Sequence, residues 1–308
     1  FTAVRNVGSY IAWSALNLRN RINNGEVIGP RIQQAGFYLT VPGGGGDLLI
    51  PDFPEEDIPP HVRLGVSNNA EEFKNNAKKA IDGGADFLKI LASGAVLAFD
   101  GIPGAPEMTP EEIAAVVSVA EEAGIKVTSH AHGAQSIKDS ILAGVDSIEH
   151  ASLADQEAID LAAERGVVFS MDVYNGSHAK AVGEEQGWPE EFMRKMNETT
   201  DAQRQVFRKA VKAGVPITFG TDAAVYPHGE NAKQFSIMIE FGMSPMQAIK
   251  SATSVAAKYM GWGDEIGSLR KGYYADIIAT KKNPLENISV LENIDFVMKG
   301  GEVIKDAN

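Results

Sequence analysis

The chain has 308 residues, no cysteine, 44% apolar and 22% charged residues, and a formal net charge of -13. That length accommodates one large core, and a single α/β barrel of about 250 residues fits within it. The acidic balance, unbroken by any basic stretch, speaks against a nucleic-acid partner. The lack of cysteine excludes disulfides, thiolate ligands and a cysteine nucleophile, and no apolar run reaches the roughly 18 residues that would span a membrane.

Phe1-Thr-Ala-Val-Arg5 begins inside a strand pattern with no initiator Met, signal or cap before it. The chain therefore reads as lacking its native beginning, which leaves its compartment open. Strands are expected at 2–6, 31–38, 85–91, 125–130, 145–149, 167–173 and 215–221. Amphipathic helices are expected between them, among them Ala70–Asp82, Pro110–Glu122, Ser136–Ala143 and Thr200–Ala213. Glycine turns at Gly83-Gly84, Gly124, Gly144, Gly166 and Gly214 precede most strands. Thr109-Pro110-Glu-Glu112 supplies a capping hydroxyl, proline in the first turn and acids facing the helix dipole. Ser244-Pro245 opens a helix through Lys258 on the same rule.

This alternation predicts an α/β fold, a TIM-like (β/α)8 barrel over residues 1–262. Seven strands are counted where closure needs eight, so the first is expected upstream of Phe1. The irregular stretches Leu39–Leu64 and Ala223–Ala232 follow strands and so belong on the catalytic face. After Gly261 short β-type runs appear, ending in a hairpin over Phe296–Ile304 that turns at Lys299-Gly-Gly301. Residues 263–308 are expected to form the C-terminal part of a small β-sandwich subdomain.

The strand ends carry the chemistry. His130 and His132 flank Ala131 and so face the same side of one strand; His150 ends the next, and Asp222 ends the last. Three neutral imidazoles and a carboxylate on successive strand ends suit a divalent cation such as zinc. Lys89 lies in the apolar run Phe87-Leu-Lys-Ile-Leu91, where an unpaired ammonium would cost several kcal/mol. A depressed pKa, an acidic partner, a Schiff base or carbamylation by CO2 would each relieve that cost. Beside the histidines a carbamate leads, because it turns the cation into a bidentate anion able to bridge two metals.

In this order, Lys89, His130, His150 and Asp222 resemble the ligands on strands 4, 5, 6 and 8 of the amidohydrolase superfamily. The spacing is similar to its binuclear, carboxylated-lysine branch of Xaa-Pro dipeptidase-like, arginine-carboxypeptidase-like and ochratoxin amidohydrolase enzymes. His130-Ala-His-Gly133, Ile148-Glu-His-Ala-Ser152, Gly220-Thr-Asp-Ala223, Tyr226-Pro-His-Gly229 and Val297-Met-Lys-Gly300 extend the likeness over nearly the whole chain. Two features depart from it: no strand-1 H-x-H is present, and Asp47 follows the glycines where relatives carry a histidine.

The resemblance implies a metallo-dependent hydrolase barrel holding two divalent ions, zinc by default, bridged by carbamylated Lys89. Metal-activated hydroxide would hydrolyse the amide of a dipeptide or N-acyl amino acid, possible ochratoxin-type amides included. Asp222 would move the proton, His132 would stabilise the oxyanion, and Tyr174 and His228, with His132, would contact the substrate. A homo-oligomer is also implied. The competing readings are a cyclic-amide, imidazolonepropionase-like hydrolase, a Schiff-base aldolase using Lys89, and a non-catalytic barrel. Elsewhere plainer readings hold. Glu55-Glu-Asp57 reads as a solvated face, Gly43–Gly46 lacks the lysine and helix of a phosphate cradle, His61 and His178 read as surface or loop residues, and Ser152 has no nucleophile elbow around it.

Overall fold

The computed structural model describes residues 1–99 and 101–307. Seven parallel strands follow one another around the chain: β1 Ala3–Asn6, β2 Arg31–Gln34, β3 Phe87–Leu91, β4 Lys126–Gly133, β5 Ser147–Leu153, β6 Val168–Ser170 and β7 Ile217–Thr218. β1 pairs with β2, and β3 through β7 form one sheet in chain order. Past Gln34 the chain runs on beside β3, where Leu39 bridges Ile90. The Leu39 N–H donates to Lys89 O and the Leu91 N–H to Leu39 O, both at 2.9 Å. Among the described residues no register joins β7 to β1, although the rings of Phe1 and Phe219 meet at 5.5 Å. The architecture is an α/β, TIM-like barrel, with the antiparallel strands β8 Ile277–Ala279, β9 Phe296–Lys299 and β10 Glu302–Asp306 as a small sheet beside it.

The strands alternate as a barrel requires. Leu88 and Ile90 are fully buried in the apolar layer with Phe73 and Ile113 from the surrounding helices, while Lys89 and Leu91 line the cavity inside. Thr109 and Glu112 form the capping box that opens helix Pro110–Ala123, and Gly124 closes it at φ +66°, a conformation that a side chain would strain. The hairpin turns at Gly300 and Gly301.

Several elements differ from expectation for identifiable reasons. β7 has two residues because Gly220 turns back to bond Thr218 O at 3.0 Å. The helix expected from Ser244 to Lys258 is split into Pro245–Ser251 and Ser254–Tyr259, since Thr253 leaves helical dihedrals at φ -130°, ψ -100°. The helix expected at Thr200 starts at Glu190, and another, Asn175–Gln186, precedes it. No helix among the described residues is long and apolar enough to cross a membrane.

Candidate metal centre

Four strand ends converge on a cavity of about 270 Å³ whose lining includes Lys89, His130, His132, His150 and Asp222. Alternation along β4 turns both His130 and His132 inward around the fully buried Ala131. Midway along β5 the backbone kinks: His150 has φ +72° and Ala151 φ +50°, opposite a register shift in β4. Asp222 also sits in the left-handed region, at φ +49°. Such backbone costs of order 1 kcal/mol or more per residue, and it persists where the surroundings over-determine the position of a side chain.

The imidazole centroids of His130, His132 and His150 lie 4.6 to 4.8 Å apart. Ligand atoms of these three residues fall within 4.8 Å of one another, as do those of His150, Asp172 and Asp222. His150 belongs to both groups, so the two sets of donor atoms adjoin one another. His130 Nε2 is buried without any hydrogen-bond partner, which is costly for a polar atom unless something coordinates it. The donor set of neutral imidazole and carboxylate therefore fits divalent metal ions.

Electrostatics agree with that fit. Burial, followed by the other two imidazoles and Lys89, holds His130 well below the ordinary histidine range. Burial and His150 push His132 down to about 3. Both are neutral imidazoles at physiological pH. His132 Nδ1 lies 2.8 Å from Ser152 Oγ, and the His132 backbone N–H donates to Ser93 Oγ at 2.9 Å. Burial lowers Lys89 to about 8, against the pull of Glu149 and Asp222. The neutral amine that CO2 requires is thus far more populated than in an ordinary exposed lysine. The carboxyl of Asp222 reaches solvent through the cavity, but the protein packed around it raises its pKa to about 6, with His150 opposing and Asp172 adding.

Three residues that the sequence reading did not single out shape the site. Asp172, just beyond β6, accepts from Gln203 Nε2 at 2.7 Å and from Asn175 Nδ2 at 3.0 Å, and meets His150 Nδ1 at 3.0 Å. Burial opposes its ionisation, yet His150 and these donors outweigh that and hold the carboxyl well below the usual range. Asp172 occupies a strand end like the expected ligands, two residues before Tyr174, so its position was the available signal. Below Lys89, buried Glu149 accepts from Thr128 Oγ1 at 2.6 Å and faces Arg5 at 4.0 Å. Arg5 in turn lies over the Phe87 ring, 3.8 Å from its centroid.

Two expected substrate contacts lie elsewhere. The Tyr174 hydroxyl donates to Glu230 at 3.0 Å and its ring packs on Tyr226 at 5.1 Å; neither Tyr174 nor His228 lines the cavity. Asp47 is buried and held by the Arg63 fork at 2.6 and 2.7 Å. It organises the loop rather than entering the cavity, to which that loop contributes Gly45.

The amidohydrolase family profile matches residues 1–304. The chain belongs to the amidohydrolase family. It is 30% identical to the ochratoxinase of Aspergillus niger over 328 aligned positions, covering 99% of this chain and 65% of that protein; it thus spans just under two thirds of that relative's length. The crystal structure of a Xaa-Pro dipeptidase with methionine bound in its active site is 40% identical, with a TM-score of 0.92 over 99% of this chain and 75% of the other. A prolidase complexed with N-methylphosphonate-L-proline is 29% identical, with a TM-score of 0.91 over 99% and 76%. Within this amidohydrolase fold Lys89, His130, His150 and Asp222 line one cavity.

Proposed function

We propose that the chain carries the catalytic site of a metal-dependent hydrolase that cleaves the amide bond of a dipeptide or N-acyl amino acid. The observation that carries this reading is the pair of adjoining donor groups sharing His150, with the unpartnered His130 Nε2 between imidazoles. The named relatives, an ochratoxinase and a Xaa-Pro dipeptidase, support the class of bond.

His130, His150 and Asp222 would hold two divalent ions, zinc being the first to test, with Lys89 bridging as its carbamate. Bound ions in such a site supply Lewis acidity that brings the pKa of water towards neutrality and polarises a carbonyl. Lys89 lines the same cavity, where the charges of Glu149 and Asp222 act on it. Asp222 takes a proton from the attacking water and returns it to the leaving nitrogen as the carbon–nitrogen bond breaks and the new carbon–oxygen bond forms. Ser152 Oγ, 2.8 Å from His132 Nδ1, can donate to that nitrogen, which would keep the ring proton on Nε2, where it would donate to the carbonyl oxygen as negative charge develops.

The test is elemental analysis of the full-length protein together with a screen of dipeptides and N-acyl amino acids. About two metal ions per chain and turnover of some of these amides are expected, and Lys89→Ala should lower turnover at least 1000-fold, on the order of removing a key electrostatic group. Wild-type rates in Lys89→Ala would rule out the bridging role. His132→Ala should retain both ions while losing rate; loss of an ion instead would make His132 a ligand.

A further inference from the structure

The cavity runs from a charged end to an uncharged one, and two helices measure the distance. Helix Glu190–Ala213 presents Met196, Thr199, Thr200 and Gln203 to it, positions spaced three and four apart on a single face. Gln203 marks the charged end through its 2.7 Å bond to Asp172. Met196 lies two turns away, about 10 Å along the axis. Helix Asn175–Gln186 has the same polarity. Its first residue, Asn175, donates to Asp222 at 3.1 Å, and Ala179, also lining the cavity, follows about 6 Å further on.

Val96 and Leu97, from the segment after β3, line the cavity with Met196 and Ala179, and the contacts of Ala98 and Phe99 with Lys195 and Phe192 place that segment at the Met196 end. Among the described residues that line the cavity, Lys89 is the only lysine or arginine, and the acids Glu149, Asp172 and Asp222 all stand at the metal end. A charged group pushed to the far end would lose water and find no counter-charge.

The width of this slot is held from outside. Lys195, next to Met196, is fully buried. Its Nζ donates to Ala98 O at 2.9 Å and pairs with Glu191 at 2.6 Å. The rings of Phe99 and Phe192 add a contact at 4.7 Å between centroids. These ties fasten the segment bearing Val96 and Leu97 to the helix bearing Met196.

We infer that the slot between Val96, Leu97, Ala179 and Met196 is the subsite for an apolar side chain of the substrate, and that Lys195 is the positioning residue that sets its width. This rests on the amide-hydrolase reading and adds the side-chain class to it. A slot whose far end lies about 10 Å along the helix from Gln203 receives a leucine, methionine or phenylalanine side chain reaching away from the scissile bond, and each buried methylene contributes roughly fourfold to affinity.

The experiment uses the full-length, metal-loaded protein and dipeptides in which either residue is varied among Ala, Leu, Met, Phe, Asp and Lys. Calorimetric binding of the corresponding free amino acids is measured in parallel. At one of the two positions kcat/KM for Leu, Met or Phe should exceed that for Ala, Asp or Lys at least tenfold. Met196→Glu should reduce that preference at least tenfold while Met196→Leu keeps it, which separates the effect from misfolding. Lys195→Met should raise KM for the large apolar substrates more than it lowers kcat, and Lys195→Arg should restore most of the loss.

Turnover without discrimination at either position, or unchanged discrimination in Met196→Glu, would overturn the subsite. An unchanged KM in Lys195→Met would overturn the role of the lysine. Discrimination in binding with no turnover of any member would sustain the subsite and sink the hydrolase reading instead.

Discussion

Asp172 meets His150 at Nδ1, 3.0 Å away, and that contact decides which nitrogen His150 turns towards a cation. The carboxylate engages Nδ1, so Nε2 is the ring nitrogen left for a cation, and against the effect of burial the same carboxylate raises the pKa of the ring. The outer carboxylate thus sets both the tautomer and the basicity of the ligand, as such partners do for metal-binding histidines.

Asp172→Asn keeps the volume but removes the charge and the fixed tautomer. Metal affinity should fall about 10- to 100-fold, read by competition with a chromophoric chelator. Wild-type affinity in this variant would show that His150 is oriented by other contacts.

Metal removal should weaken the fold, because the ligand set assembles only when the strands are in place. An ion at 100 times its dissociation constant stabilises the native state by about 2.7 kcal/mol. Chelator-treated protein should therefore melt roughly 5 °C or more below the zinc-loaded form. Identical melting curves would exclude binding at this centre.

Gly133 follows the metal-end histidines of β4 and touches the segment after β3 so closely that a Cβ on it would lie 2.0 Å from Gly104 O. Because the obstacle is backbone, it cannot swing aside. Gly133→Ala should cost about 1–3 kcal/mol, measured by urea unfolding. A neutral change would mean that the two segments separate freely.

Glu107 couples the same region to the glycine loop, accepting from Gly45 N–H at 3.0 and 3.1 Å. Burial raises its pKa above 4.5, with the Gly45 bond opposing. The folded state therefore holds this proton more tightly than the unfolded chain does. Its contribution to stability is greatest in acid and declines as pH rises from about 4.5 through the folded value, after which it is level. Unfolding free energies of wild type minus Glu107→Gln should fall with pH across that window and then flatten. A difference that rose with pH would reverse the assignment.

The sequence alone determined the parallel strand–helix order, the strand ends bearing Lys89, His130, His150 and Asp222, and the closing hairpin. These follow from local rules: alternation along a strand, glycine where a helix ends, and a hydroxyl with a proline where one begins. Tertiary structure alone decided that Asp172 and Gln203 stand behind His150, that Tyr174 turns away to Glu230, that Asp47 serves Arg63, and that Lys195 reaches Ala98. The physical reason is one of range. Each of those choices is made between segments tens of residues apart, by hydrogen bonds and burial that form only after the barrel has folded, so spacing along the chain carries little trace of them.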